Sequence, residues 1–308
     1  MTHAKSATAD RRVVVAGGGL AANVAARLFW GLASWVIGLA RSPEVLRIFE
    51  QRLLWAFVFT VGITLAAGQG RALLALAGNR RLGPITVVSA LLIASNWFVV
   101  IWCVRNGELA SAGLGFFAAP VLTVAGGIWL LGERNSVAVV ASLGLCVCGV
   151  AIYFGDSAAE PFAAIHVAVT SAVYALLRKR FPLPSAIANT AELTVALAVT
   201  SVLTAVLDGP AALLPPEVDG LGFYVLLGAV TTLPMLLYVH SLRLISVSLA
   251  GYVQYVTPTV MLAVAFFVFH EPVGGARIAG LALIWLSILM FAVGARAARP
   301  VCSGEHAS

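Results

Sequence analysis

The chain has 308 residues, of which 61% are hydrophobic and only 10% charged, and its mean hydropathy is +0.99. A water-soluble domain covers its surface with about 25% charged residues, so this composition excludes a soluble globule and calls for lipid as solvent. The formal charge of +6 sits singly or in threes at the ends of apolar runs, which marks a topology signal rather than a nucleic-acid footprint, and no nucleic-acid partner is expected. The runs are long enough to cross the roughly 30 Å hydrocarbon layer, and they lack the ten-residue alternation of a strand barrel. Backbone amides in lipid must pair within their own segment, so the spans are read as helices.

Residues 1–17 read as a cytoplasmic tail, without the short apolar core and cleavage site of a removable signal peptide. Their end imitates a dinucleotide fingerprint, Val13-Val14-Val15-Ala16-Gly17-Gly18-Gly19 followed by Ala22. That motif needs a βαβ unit and an acid some 20 residues on. Here an apolar run continues through Trp30 and Trp35 and the first following acid is Glu44, so close helix packing explains the small residues better. Ten spans follow, at 18–40, 50–68, 84–104, 109–131, 136–154, 161–178, 187–207, 220–240, 247–269 and 273–294, and 295–308 reads as a second tail. Short breaks separate them, among them Arg41-Ser42-Pro43, Asn79-Arg80-Arg81, Pro182 with Pro184, and Pro215-Pro216.

Placing the N-terminus inside puts thirteen basic residues on the cytoplasmic side, Arg178, Lys179 and Arg180 among them. It leaves five outside: Arg41, Arg47, Arg52, Arg105 and Arg277. This bias predicts both termini in the cytoplasm of a bacterial inner-membrane, multi-pass protein, which an even number of crossings permits. A shift of 138 residues then lays the third to fifth spans on the eighth to tenth without a gap. Arg105 meets Arg243, Ala112-Gly113 meets Ala250-Gly251, Pro120 meets Pro258, and Glu133 meets Glu271. Each half, 18–154 and 155–294, therefore holds five spans, and an odd number forces the second copy to insert upside down. The fold expected is an all-α membrane protein of ten transmembrane helices in two inverted five-helix repeats, an architecture of secondary transporters.

Several residues could carry transport. Glu192 lies inside the seventh span, where a carboxylate costs about 2.5–3.5 kcal/mol unless it faces a cavity or a partner. It reads as a protonatable coupling group or an anchor for a substrate amine, against a structural charge at the interface. Arg27 in the first span could bind a substrate carboxylate, neutralise Glu192, or reach the headgroups by snorkelling. Asn96 and Trp97 could hydrogen-bond to and stack on a planar solute. Gln254 and Tyr255 precede Pro258, whose ring frees the carbonyl of Gln254, as Pro120 frees that of Phe116. These two prolines, with Pro234, are hinge or kink candidates, and Tyr174 is a weaker wall candidate. Glu133 and Glu271 read as caps of the helix that follows each. His166 and His240 are isolated and no metal site is expected. Cys103, Cys146 and Cys148 read as buried small residues, with Cys302 in the tail.

The same stretches resemble the RarD-type members of the EamA-like, drug/metabolite transporter superfamily. The segments that carry the resemblance are Asn96-Trp97 with Ile101-Trp102, Leu114-Gly115-Phe116-Phe117 with Pro120, and Gly132-Glu133-Arg134. They continue with Tyr174-Ala175-Leu176-Leu177-Arg178-Lys179, Glu192-Leu193, Thr232-Leu233-Pro234, Gly251-Tyr252-Val253-Gln254-Tyr255 with Pro258, Glu271-Pro272, and Ile284-Trp285-Leu286. The resemblance covers about residues 25 to 292 and implies a central cavity between the halves and movement of small metabolites or drugs, chloramphenicol among them. The chain departs from the family pattern at Ala119, Gln51 and Arg27.

The expected function is a secondary carrier of a small metabolite, an amino-acid-like solute or a drug. Its partners are that small molecule and membrane lipids, with a homodimer allowed. No cofactor is expected, and the chain has no Gly-x4-Gly-Lys-Ser/Thr loop for ATP. The alternative is an intramembrane transferase acting on lipid-linked substrates, for which Asp208, Glu217 and Asp219 form the one cluster of acids.

Overall fold

A computed structural model describes residues 2–40, 44–106, 109–133, 137–155, 161–213, 218–267 and 274–297, with the side chains of 2–16 outside that description. All regular structure among the described residues is helical. The helices are α1 (Thr2–Gly38), α2 (Val45–Ala66), α3 (Gly70–Ala77), α4 (Leu82–Asn106), α5 (Leu109–Trp129), α6 (Val137–Gly155), α7 (Pro161–Arg180), α8 (Ser185–Leu207), α9 (Val218–Leu244), α10 (Val247–Val253), α11 (Val256–Phe267) and α12 (Gly275–Ala297). Eight apolar stretches are long enough to cross a membrane, and two shorter ones, Val140–Tyr153 and Ile278–Phe291, occupy the fifth and tenth places. Large apolar side chains such as Val206 (76% exposed) and Leu289 point outward from these helices, as solvation by lipid rather than water requires.

The first helix begins at Thr2, so the stretch read as a tail runs into the first span as one helix. The break after α2 folds into the short helix α3, with Leu74 outward and Leu76 buried, where a plain loop was expected. Of the glycine run in α1, Gly19 alone meets a neighbour: a methyl group there would come 2.7 Å from Leu244, whereas Gly17 and Gly18 face nothing within 4 Å.

The two halves interleave. The most extensive helix contacts join α6 to α12, α5 to α7, α1 to α9, α2 to α9, α2 to α8 and α4 to α7, every one of them across the halves. Advancing each span by five places turns these contacts into others that the structure also makes: α1 against α9 becomes α7 against α4, and α2 against α9 becomes α8 against α4. Equivalent helices also run antiparallel. Thr64 meets Thr190 at 2.8 Å at one end of the α2–α8 pair, and Ser201 donates to Glu50 at 2.9 Å at the other. The α6–α12 pair behaves likewise, with Gly149 against Ile284 and Tyr153 against Gly280. Five spans per half and antiparallel partners are what inversion of one half relative to the other produces.

Small residues permit the closest crossing. A methyl group at Gly149 would lie 2.8 Å from the carbonyl oxygen of Gly280, and one at Gly280 would lie 2.7 Å from that of Gly149. Backbones touch there because no side chain intervenes. Elsewhere polar groups tie helix ends together, across the halves at Glu133 and within the second half at Lys179. Glu133, just past α5, accepts hydrogen bonds from the backbone N–H of Val247 (2.6 Å) and Ser248 (2.9 Å) and from the Ser248 hydroxyl (2.5 Å). The expected cap on the following helix is thus a cap on α10, because the inverted packing brings that helix start beside the end of α5. Its repeat mate Glu271 lies outside the described residues, as do Pro215, Pro216 and Cys302. Lys179 donates to the carbonyl oxygens of Leu242 (3.1 Å) and Ile245 (2.5 Å), closing the C-terminal end of α9.

The cysteines divide. Cys103 and Cys146 are buried but Cys148 is exposed, a correction that follows from the helical rotation of about 200° between positions two apart.

The α6–α12 crossing yields a direct test. Gly149→Leu is expected to lower the thermal midpoint of the detergent-solubilised protein, by a strain of about 1–3 kcal/mol. Gly144→Leu, on the same helix with open space around it, is expected to leave the midpoint within a degree or two.

Candidate functional site

The apolar core falls into a larger cluster built on α1, α2, α4, α7, α8 and α9, a smaller one built on α5, α6, α7, α10 and α12, and a minor third where α4, α5 and α7 meet. Against the larger cluster lies a cavity with about 60 Å³ open to the centres of water molecules. Both halves contribute its wall: α1, α2, α4 and α5 from the first, α7, α9, α11 and the break before α11 from the second.

Arg27, Asn96, Trp97, Tyr174 and Gln254 all line this cavity. Arg27 is 4% exposed, and its guanidinium lies 4.3 Å from the Tyr238 ring centre and 5.1 Å from that of Trp30. A long contact of 3.5 Å runs from its Nε to Asn23, whose amide donates to Ser241 at 2.7 Å. Its Nη2 has no hydrogen-bond partner. Asn96 donates to the Val167 carbonyl (3.1 Å) and to the hydroxyls of Thr170 (2.8 Å) and Ser171 (3.1 Å), so its amide nitrogen pins α4 to α7. Trp97 is buried against the guanidinium of Arg52 at 4.8 Å.

Gln254 sits where the ninth span breaks. Pro258 has no N–H to return to its carbonyl, and the N–H of Thr257 donates there instead at 3.1 Å. The chain therefore splits into α10 and α11, with Gln254 and Tyr255 between them. The equivalent Pro120 leaves α5 continuous, and Pro234 likewise lies inside an unbroken α9. The matched prolines thus give different backbones. A methyl group at Gly251 would lie 3.4 Å from the Pro120 carbonyl oxygen, so the two helices cross at the proline itself.

Tyr255 does not reach the cavity. Its hydroxyl lies 2.6 Å from Cys146 Sγ inside the smaller cluster, beside Phe117. Tyr252 does the same with Ser142 at 2.5 Å, and stacks on Phe291.

Glu192 lies behind the cavity wall rather than on it, and Arg27 does not pair with it. Its partner is Arg178, whose Nε approaches Oε1 at 2.8 Å as an ion contact without hydrogen-bond alignment; both side chains are at most 2% exposed. Ser89 donates to the same oxygen at 2.8 Å and itself accepts from Arg178 Nη2. Tyr174 donates to Oε2 at 3.0 Å. The carboxylate is thus held by α4, α7 and α8 together, and Tyr174 links it to the cavity.

Sequence reasoning missed Arg52, Arg178, Tyr238, Trp30 and Thr257. Arg52 and Arg178 count towards opposite membrane sides in the basic-residue bias, although both fall at the ends of spans, and both are buried within helices. Removing one from each side leaves the basic bias in the same direction. Their place at the end of an apolar run hid them, since an arginine there can face the headgroups or the bundle. For the acidic cluster, Asp208 caps the C-terminal end of α8, while Glu217 and the side chain of Asp219 lie outside the described residues.

The fold and the cavity agree with three kinds of likeness. Residues 160–293 match the model of the EamA-like transporter family. The chain is 30% identical to a protein named RarD from Streptomyces exfoliatus, covering 85% of this chain and 84% of that one. It is 28% identical to the Escherichia coli protein RarD, over 90% and 94%, and 29% identical to an uncharacterized transporter, YojE, of Bacillus subtilis, over 86% and 90%. A solved crystal structure superposes with a TM-score of 0.69 at 21% identity, covering 90% of this chain and 98% of the other, which speaks for the fold alone. Likeness along nearly the whole length, in a helical membrane bundle whose halves share one cavity, leaves one assignment: the chain belongs to the RarD-type branch of the EamA-like drug/metabolite transporter superfamily.

Proposed function

We propose that the protein is a secondary carrier of a small metabolite, an amino-acid-like solute or a drug of chloramphenicol size, with the central cavity as its solute site. The observation that carries this reading is the shared wall: one cavity between two inverted halves can face either side when the halves rock. A proton couples the cycle at Glu192. In support, the carboxylate is sealed among three helices and tied through the Tyr174 hydroxyl to the cavity wall, so its charge state would bias how α4, α7 and α8 pack. The protein lies in the bacterial inner membrane with both termini in the cytoplasm, a reading supported by the basic-residue bias.

Proteoliposomes loaded against a mixed pool of metabolites, amino acids and chloramphenicol test the carrier. Wild type is expected to accumulate a solute several-fold under an imposed pH gradient, read by mass spectrometry of the lumen. Glu192→Gln is expected to equilibrate that solute without accumulating it. Because the single variant leaves Arg178 buried and alone, the pair Arg178→Gln/Glu192→Gln serves as the matched control for folding. Accumulation unchanged in both variants removes Glu192 from coupling, and no flux of any solute in wild type counts against the carrier.

Truncation at the pair also has a stability outcome. Glu192→Ala is expected to cost about 3–5 kcal/mol, because it strands a buried guanidinium, and replacing Arg178 with Met as well should restore most of the loss.

Orientation is tested at Ser185, the first residue of α8. In a background without cysteine, Ser185→Cys is expected to resist an impermeant maleimide on intact cells and to react in inside-out vesicles; labelling on intact cells would reverse the topology. The corresponding probe at Ser308 lies outside the described residues.

A further inference from the structure

We infer that, within that range of solutes, the cavity favours small organic anions, a single apolar ring bearing one permanent or ionised acidic group, over amines and neutral solutes of the same size. The inference rests on the reading of this cavity as the solute site. Its basis is a charge imbalance. Two guanidiniums, Arg27 and Arg52, line the wall, each 4% exposed, and a guanidinium keeps its charge at any physiological pH. No carboxylate is among the lining residues.

The acids nearby are committed elsewhere. Glu192 belongs to Arg178, Ser89 and Tyr174. Glu50, two residues before Arg52 on α2, accepts from Ser201 of α8; side chains two apart on a helix diverge by about 200°, so Glu50 faces away from the arginine and the cavity. Arg27 is not fully satisfied by the protein, since its Nη2 is buried with no hydrogen-bond partner; Arg52 has its Nε on the Thr231 hydroxyl at 2.7 Å and no carboxylate beside it on the cavity wall. What the chain offers both cations is aromatic: Tyr238 and Trp30 around Arg27, Trp97 beside Arg52. These faces hold the guanidinium planes in place while leaving N–H edges for an incoming acceptor.

The remaining wall suits a flat apolar body. Trp30, Tyr238 and Tyr174 form a contiguous aromatic face, Trp30 edge-on to Tyr238 at 5.2 Å and Tyr174 nearly parallel to it at 6.3 Å. The open space of about 60 Å³ corresponds to about four to six waters, roughly the room of one ring and its acidic group. An amine would meet two cations and no acid, and a neutral amide would leave both guanidiniums unanswered.

The test is binding to the purified, detergent-solubilised protein, read by quenching of tryptophan emission from Trp30 and Trp97 and checked by calorimetry. The probes are benzenesulfonate, benzoate, benzamide and benzylamine. The two anions are expected to bind at least tenfold tighter than benzamide, with benzylamine weakest. Arg27→Gln and Arg52→Gln are each expected to erase about tenfold of that preference, and the Lys variants to retain part of it. If a Gln variant elutes as aggregate, the wild-type ranking and the Lys variants decide. The inference is overturned if benzamide or benzylamine binds as tightly as the anions, if neither anion binds, or if the folded Gln variants keep the full preference. Anion binding with no flux of benzenesulfonate in proteoliposomes overturns the carrier reading and leaves the anion site. Flux of a neutral solute in a protein that binds neither anion does the reverse.

Discussion

Hydrocarbon accepts no hydrogen bonds, so a charge placed inside this bundle must be answered by another group of the same chain or by a solute. The Arg178–Glu192 pair meets that requirement internally. The carboxylate receives Arg178, Ser89 and Tyr174, and α4 and α7, which supply them, cannot separate from α8 without exposing a bare ion to an apolar interior. A pair of this kind adds little net stability, since desolvation offsets most of the attraction, but breaking it is costly. It therefore acts as a condition on geometry: the arrangement of α4, α7 and α8 stands while the pair is made.

Arg27 and Arg52 meet the requirement differently. Their neighbours are aromatic faces and hydroxyls, which orient a guanidinium without neutralising it. Charge paired with a carboxylate thus lies behind the wall, and charge held only by aromatic and polar neighbours lies on it. Tyr174 belongs to both groups, with its hydroxyl on Glu192 and its ring beside Tyr238, so the buried carboxylate and the cavity wall share a side chain.

Inversion shapes the rest. Because each half packs mainly against the other, the helix ends that meet come from distant parts of the sequence, and Glu133 caps α10 instead of its own successor. The repeat is also unequal where it matters. Pro120 leaves α5 whole, while its mate Pro258 coincides with a break that presents Gln254 to the cavity. One half supplies a continuous helix to the wall, and the other supplies an interrupted one.

Much of this was legible without coordinates. Span length, the 138-residue repeat and the odd number of crossings per half follow from hydropathy and chain order alone, because lipid permits so few alternatives. Five of the seven proposed wall residues lie on the cavity for a related reason: a polar or aromatic side chain in mid-span has few places to go. Glu192 and Tyr255 do not, since which way a side chain points depends on helix rotation, and nearly uniform apolar helices carry almost no rotational signal. Arg52 and Arg178 were hidden at the edges of apolar runs, where burial and exposure look alike in one dimension. Composition, then, determined a ten-span inverted bundle with charges that needed answering. Only the tertiary structure decided which charges answer one another and which are left facing the cavity, because that choice depends on contacts between helices a hundred or more residues apart.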